Sequence, residues 1–212
     1  YPSGSILKPL VAVAALAEKI ITPQTTFLST GGLQINQWFF PDWQAGGHGL
    51  TDIRKAIAWS VNTFFYYIGG GYKDFVGLGV DKITEYLRKF GLANKTGIDL
   101  PGENSGFLPS KEWKKEIKGE SWYVGDTYNL SIGQGDLLVT PIQVANWISL
   151  VANGGKKLTP HLVKSSKTPT SSIYMDTESR SEQIDINPYY FNIAKLGMKD
   201  CVTSGSCGTL RF

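Results

Sequence analysis

Apolar residues recur at helical spacing in several long blocks, and those blocks predict a largely helical chain before any motif is considered. Leu10-Val11-Ala12-Val13-Ala14-Ala15-Leu16-Ala17-Glu18-Lys19 is almost entirely apolar for two turns and rich in Ala and Leu. It predicts a buried helix that Gly4 can enter and Thr22-Pro23 ends. Thr51-Asp52-Ile53-Arg54-Lys55-Ala56-Ile57-Ala58 sets a capping residue ahead of apolar positions at helical spacing, and Phe64-Phe65-Tyr66-Tyr67-Ile68 is a second apolar run that stops at Gly69-Gly70-Gly71. Ser60-Val61-Asn62 lies between them and reads as a tight connection between two helices. Alternation within it aims Ser60 and Asn62 to one side and turns Val61 inward.

The later half repeats this pattern with different punctuation. Asp81 to Phe90 predicts a helix that ends at Gly91-Leu92-Ala93-Asn94. Thr140-Pro141-Ile142-Gln143 is a capping box with proline at the first helical position, and its helix runs through Trp147 and Leu150 to Gly154-Gly155. Asn187-Pro188 starts another helix by the same logic, from Tyr189 to about Lys199. Leu158 to Lys164 reads as a strand that Pro160 interrupts, which suits a sheet edge. Lys111 to Lys118 mixes charge signs and reads as a solvated helix face. Ile132-Gly133-Gln134-Gly135 lacks the Gly-Lys-Ser/Thr ending of a phosphate loop and reads as a structural turn. The Ser/Thr-rich stretch from Ser165 to Glu182 is the best candidate for a mobile loop or hairpin.

Composition narrows the class without naming a function. The 212 residues are 42% hydrophobic, 12% aromatic and 18% charged, which describes a folded chain of about one domain. A net charge of +3, with no basic cluster interleaved with aromatics, gives no case for nucleic acid. The longest apolar stretch is far short of the ~20 residues of a membrane span. His48, between glycines and near Asp42 with no cysteine close by, is a poor metal cluster, and no cofactor is implied. Cys201 and Cys207 can pair in an oxidising compartment or stay free.

The chemistry begins at Tyr1-Pro2-Ser3-Gly4-Ser5-Ile6-Leu7-Lys8-Pro9, which places a hydroxyl and an amine three residues apart at the start of a helix. Side chains at i and i+3 share a helix face with Cβ atoms roughly 5–6 Å apart, so Ser5 Oγ and Lys8 Nζ can meet. Alone, a Ser-x-x-Lys spacing is ordinary for a solvated helix start. The apolar run behind it buries Lys8, however, and a buried lysine needs a reason. Acting as a base near neutral pH requires lowering its pKa from about 10.4 by about 3 units, roughly 4 kcal/mol. Burial and the helix dipole both push that way. Pro9 has no N–H for the Ser5 carbonyl, so a loosened first turn is expected.

These blocks together resemble a known family. The first motif, Gly47-His48-Gly49, Ser60-Val61-Asn62-Thr63-Phe64-Phe65-Tyr66, Lys95-Thr96-Gly97-Ile98-Asp99-Leu100-Pro101-Gly102-Glu103, and Ile132-Gly133-Gln134-Gly135 with Thr140-Pro141-Ile142-Gln143 are similar to the class B penicillin-binding proteins, most of all the elongation-type transpeptidases. The resemblance implies the penicillin-recognising α/β (α+β) fold, an antiparallel sheet flanked by helices with a helical subdomain and the nucleophile at their junction. It also implies acyl transfer. Ser5 is then the nucleophile, Lys8 its base, Ser60 a proton relay toward the leaving amine, and Asn62 a partner for the substrate amide that keeps Ser5 and Lys8 in register. The Ser5 backbone N–H is one of two oxyanion donors.

One apparent match is refused. The family's third element is a Lys-Thr/Ser-Gly triplet on a sheet edge, whereas Lys95-Thr96-Gly97 follows a helix and leads into Asp99-Leu100-Pro101-Gly102, which is loop sequence. The working triplet, with the second oxyanion donor, is expected beyond Phe212, so residues 1–212 read as a partial transpeptidase domain that is expected to be inactive by itself. Peptidoglycan stem peptides and β-lactam antibiotics are the implied ligands. A glycosyltransferase and the cell-elongation complex are the implied partners, and the inner membrane, with the catalytic domain facing the periplasm, the implied location. A serine β-lactamase and a non-enzymatic β-lactam sensor or inactive cell-wall scaffold are the alternatives.

Overall fold

The computed structural model describes residues 1–163, 165–167, 169–170, 172–174 and 181–210. The apolar block at the N-terminus decides how the rest is arranged. A 3₁₀ turn, Gly4–Leu7, leads into helix α1, Lys8–Ala17, and every residue from Lys8 to Leu16 is buried. A helix apolar on all sides must be enclosed, and α1 packs against α3 (Asn62–Gly70), α4 (Gly79–Lys89) and α8 (Pro188–Thr203). Each buried Leu or Val along it contributes about 1.5–3 kcal/mol relative to exposure. The helix stops at Ala17, ahead of the expected Thr22-Pro23, because Lys19 takes a left-handed conformation at φ 57°.

Helix and sheet are mixed, as expected. Among the described residues the strands form four antiparallel pairs. β1 (Phe27–Ser29) pairs with β4 (Gly49–Thr51), β2 (Gly32–Ile35) with β3 (Trp38–Pro41), β5 (Lys156–Leu158) with β8 (Ser181–Gln183), and β6 (Ser165–Lys167) with β7 (Ser172–Tyr174). The β6–β7 hairpin falls in the Ser/Thr-rich stretch, of which residues 168, 171 and 175–180 lie outside the described residues. The strand expected over Leu158 to Lys164, whose last residue lies outside the described residues, is shorter and earlier over the part described. It ends at Leu158, before Thr159-Pro160, where the proline removes a ladder donor.

The helix signals hold in detail. Helix α2 (Ile53–Ala58) is capped by Asp52, whose side chain accepts from Lys55 N at 2.8 Å. Helix α7 (Pro141–Ala152) carries the complete Thr140/Gln143 capping box. Gln143 Nε2 also reaches Asn94 O at 2.9 Å and Ser105 O at 2.8 Å, tying the intervening loop to that helix. Helix α8 begins at Pro188 with Asn187 as its cap, and continues to Thr203, beyond the expected end. The segment from Lys111 is a short α5 (Lys111–Trp113) followed by a π turn, Lys114–Lys118. There the solvated-face reading fails for Lys114. Its ammonium is buried 2.7 Å from the Asp126 carboxylate, at the start of α6 (Val124–Ser131).

Two close approaches hold the site's supports together. Helices α3 and α6 meet where Gly69 and Gly70 leave room, since a Cβ at Gly69 would lie 2.5 Å from Ser131 Cβ. The end of α8 is folded back by the Cys201–Cys207 disulfide, which settles the pairing that the sequence left open. The loop it closes sets Ser206 N 3.0 Å from the Ala58 carbonyl, two residues before Ser60.

Candidate active site

The nucleophile candidate sits on the 3₁₀ turn, and Lys8 is the first residue of α1 behind it. With three residues per 3₁₀ turn, side chains three apart eclipse one another, so Ser5 and Lys8 keep a common face. The looser start beside Pro9 is therefore a tighter, non-α turn. It is held from outside, since Gly4 N donates to Gly133 O at 2.8 Å. Ser5 is exposed, while the Lys8 side chain is almost completely enclosed.

The amine of Lys8 finds three oxygen partners on the α2–α3 joint. Nζ lies 2.7 Å from Ser60 O, 2.9 Å from Ser60 Oγ and 2.7 Å from Asn62 Oδ1. Ser60 has φ 55°, a left-handed conformation that costs a non-glycine residue about 1–2 kcal/mol and is the kind of strain found at functional sites. That turn brings its carbonyl and hydroxyl to the lysine together. Val61 beside it is fully buried, as the alternation required. Asn62 is pinned from the other side as well, its Nδ2 donating to Pro41 O at 3.4 Å.

Burial is the main reason that the Lys8 amine holds its proton weakly, lowered to about 7, with the Asp42 charge opposing the change. A neutral amine has two N–H donors and one lone pair. It fits this cage if Nζ donates to Ser60 O and Asn62 Oδ1 and accepts from the Ser60 hydroxyl. Among the described residues no hydrogen bond joins Ser5 Oγ to Lys8 Nζ. Ser5, Lys8 and Ser60 instead line one cleft of about 360 Å³, with Pro9, Ile57 and Met198 among its apolar walls.

The structure thus brings Lys8, Ser60 and Asn62 into contact and sets Ser5 in the same cleft. It does not bring Lys95-Thr96-Gly97 there. That triplet is a loop wrapped on Glu103, whose Oε1 accepts from Thr96 N at 2.6 Å and Thr96 Oγ1 at 2.5 Å, and whose Oε2 accepts from Gly97 N at 3.0 Å. His48 Nε2 stands 3.9 Å from Asp42 Oδ1, and among the described residues no three His, Cys, Asp or Glu side chains converge as a metal set. Two contributors escaped the sequence reading. Gly133 appeared there only as a turn residue, and nothing local marks Asp42, or the Pro41 carbonyl beside it, as a neighbour of Asn62.

Comparison with known proteins agrees with this arrangement. The penicillin binding protein transpeptidase domain model matches residues 1–211. The chain belongs to that family. This transpeptidase-domain chain is 42% identical over 165 residues, 77% of its length, to the peptidoglycan D,D-transpeptidase MrdA of Salmonella typhimurium, and covers 26% of that protein. With MrdA of Escherichia coli K12 it shares 35% identity over 200 residues, 93% of the chain and 31% of the relative. Among solved structures it superposes on penicillin-binding protein PBP2 of Pseudomonas aeruginosa with a TM-score of 0.80 at 31% identity, covering 95% of this chain and 44% of that one. PBP2 of Helicobacter pylori, in complex with MreC, gives 0.77 at 32%, over 94% of this chain and 34% of that one. The transpeptidase-domain chain therefore spans between about a quarter and a third of the length of these curated relatives.

Proposed function

We propose that this chain carries the acylating centre of a serine peptidoglycan D,D-transpeptidase. Ser5 Oγ attacks the carbonyl of the penultimate D-Ala in a stem peptide as Lys8 takes its proton. The peptide bond breaks, Ser60 passes a proton to the departing amine, and the terminal D-Ala leaves. An amine from a neighbouring strand then takes the acyl group from the ester. The observation that carries this reading is the buried Lys8 amine, held by Ser60 and Asn62 one turn behind an exposed serine. Asn62 binds the substrate amide, and the Ser5 N–H is one of two oxyanion donors. The other belongs to a Lys-Thr/Ser-Gly strand that residues 95–97 do not supply, which makes residues 1–212 part of a transpeptidase domain.

β-Lactams enter by the same attack, through their ring carbonyl. The MreC-bound relative and a similar chain from a peptidoglycan synthase complex that coordinates polymerization and crosslinking support cell-wall synthesis partners, which we read as the cell-elongation complex and a glycosyltransferase. The curated relatives are named for peptidoglycan transpeptidation, and with that chemistry we place the catalytic domain on the periplasmic side of the inner membrane. Among the described residues no helix is long and apolar enough to cross a membrane.

The deciding experiment gives the full-length protein a stem pentapeptide donor, an amine acceptor and, separately, penicillin. Release of D-Ala, a cross-linked product and a long-lived penicilloyl adduct are expected. Rapid penicillin hydrolysis without D-Ala release would make it a β-lactamase, and an adduct without D-Ala release a sensor or inactive scaffold.

Gly133 offers a local check. It has φ 73°, and a Cβ there would lie 2.0 Å from Gly4 O. Gly133→Ala meets both a left-handed penalty of about 1–2 kcal/mol and a backbone clash beside the nucleophile. A lower melting temperature and penicillin acylation slowed by about tenfold or more are expected, measured by thermal unfolding and stopped-flow kinetics.

A further inference from the structure

One buried carboxylate has no part in the reaction as described. Asp42 directly follows β3, and its side chain has no solvent exposure. Both oxygens are used. Oδ2 accepts from Thr63 N at 3.0 Å, Thr63 Oγ1 at 2.8 Å and Ser29 Oγ at 3.3 Å, and Oδ1 accepts from Asn62 N at 3.1 Å and Trp43 N at 2.9 Å. Asn62 and Thr63 open α3, whose cap residue, Val61, has no polar side chain of its own. The carboxylate therefore caps that helix from just beyond the end of β3, at a helix N-terminus where negative charge is favourable. The preceding carbonyl, Pro41 O, accepts from Asn62 Nδ2 at 3.4 Å and from Tyr66 OH at 3.0 Å. Asn62 is thus fixed at its backbone by Asp42, at Nδ2 by Pro41, and at Oδ1 by Lys8.

We propose that Asp42 is a positioning residue of the acyl-transfer centre, locking the first turn of α3 so that Asn62 presents Oδ1 to Lys8, and lending its charge to the cage around that amine. The proposal rests on the acyl-transfer reading of the site. Hydrogen bonds supply the geometric half. The electrostatic half is that Asp42 favours the protonated amine while burial disfavours it. The other titratable groups in this electrostatic neighbourhood are His48, which feels Asp42, Lys8 and Lys55, and Tyr66, whose phenol burial and the Asp42 charge push up to about 12.

The test is Asp42→Asn in the full-length protein, with penicillin acylation followed from pH 5 to 9. Removing the charge moves the midpoint of the rate profile down by about one pH unit, and freeing Asn62 lowers the plateau about ten- to a hundredfold. Amide exchange at Asn62 and Thr63 speeds up in parallel. A lowered plateau with an unmoved midpoint, or no change in either, overturns the proposal. Should Asp42→Asn fail to fold, Thr63→Val decides: it keeps the carboxylate and removes one donor, so the midpoint stays while the plateau falls severalfold, and an unchanged plateau overturns the proposal. If the wild-type protein is not acylated at Ser5, the acyl-transfer reading fails, and exchange at Asn62 and Thr63 still tests the cap.

Discussion

Ser5→Ala in the full-length protein is expected to remove the mass increment that penicillin leaves, because among the described residues no other hydroxyl combines exposure with a place one turn ahead of the buried Lys8 amine. Alanine keeps the 3₁₀ turn, and the side chain it replaces is solvent-exposed, so the melting temperature changes little. The effect is all-or-none in chemistry, since the ester forms on Ser5 Oγ and the nearby Ser60 hydroxyl is held by the Lys8 amine. Intact-protein mass spectrometry after incubation with penicillin checks it, and an adduct that persists in the variant refutes the assignment of the nucleophile.

Lys8→Ala is expected to slow acylation several hundredfold or more, within the ~10²–10⁴ range of a positioned general base. In the wild-type protein the base must be uncharged to take the Ser5 proton. The Lys8 amine, lowered to about 7 by burial, is mostly protonated below that pH and mostly neutral above it. The acylation rate therefore rises with pH through about 7 and then levels, and the variant loses that limb along with the rate. Stopped-flow rates across the pH range measure both. An unchanged rate, or a limb retained without Lys8, would assign the proton to another group. The variant also leaves Ser60 O and Asn62 Oδ1 without the amine that they now share, so its melting temperature is read alongside.

Much of this site could be read from local pattern, and the unread part is non-local. The Ser5–Lys8 pair and the Ser60-Val61-Asn62 joint were visible because each lies within one turn or one connection, where spacing fixes direction. The meeting of the two motifs followed only from family resemblance, since no periodicity predicts that residues 52 or 54 positions apart will share an amine. The capping role of Asp42 was invisible for the same reason: capping signals are sought next to a helix, and this one arrives from beyond the end of β3. Length errors came from tertiary context. Helix α8 runs past Lys199 because Ala194 and Gly197 pack into the core and Cys201 ties its end down. Lys114 looked like a solvated charge because Asp126, the partner that lets it be buried, lies twelve positions away.

The Lys-Thr-Gly letters at 95–97 were better judged by neighbours than by spelling. A strand-edge triplet needs free backbone groups facing the nucleophile, whereas here Glu103 takes two of those N–H groups and the threonine hydroxyl.

The back-folded end of α8 couples distant parts of the polypeptide. Gly205 fits beneath Ala58 only because it has no side chain, as a Cβ there would come within 2.2 Å of the Ala58 carbonyl. The stretch bearing Ser60 thus leans on the small Cys201–Cys207 cystine loop almost 150 positions downstream. Sequence drift at either place is therefore constrained by the other, and a bulky replacement in that small loop would be felt as a defect in reactivity, although it touches no reacting atom.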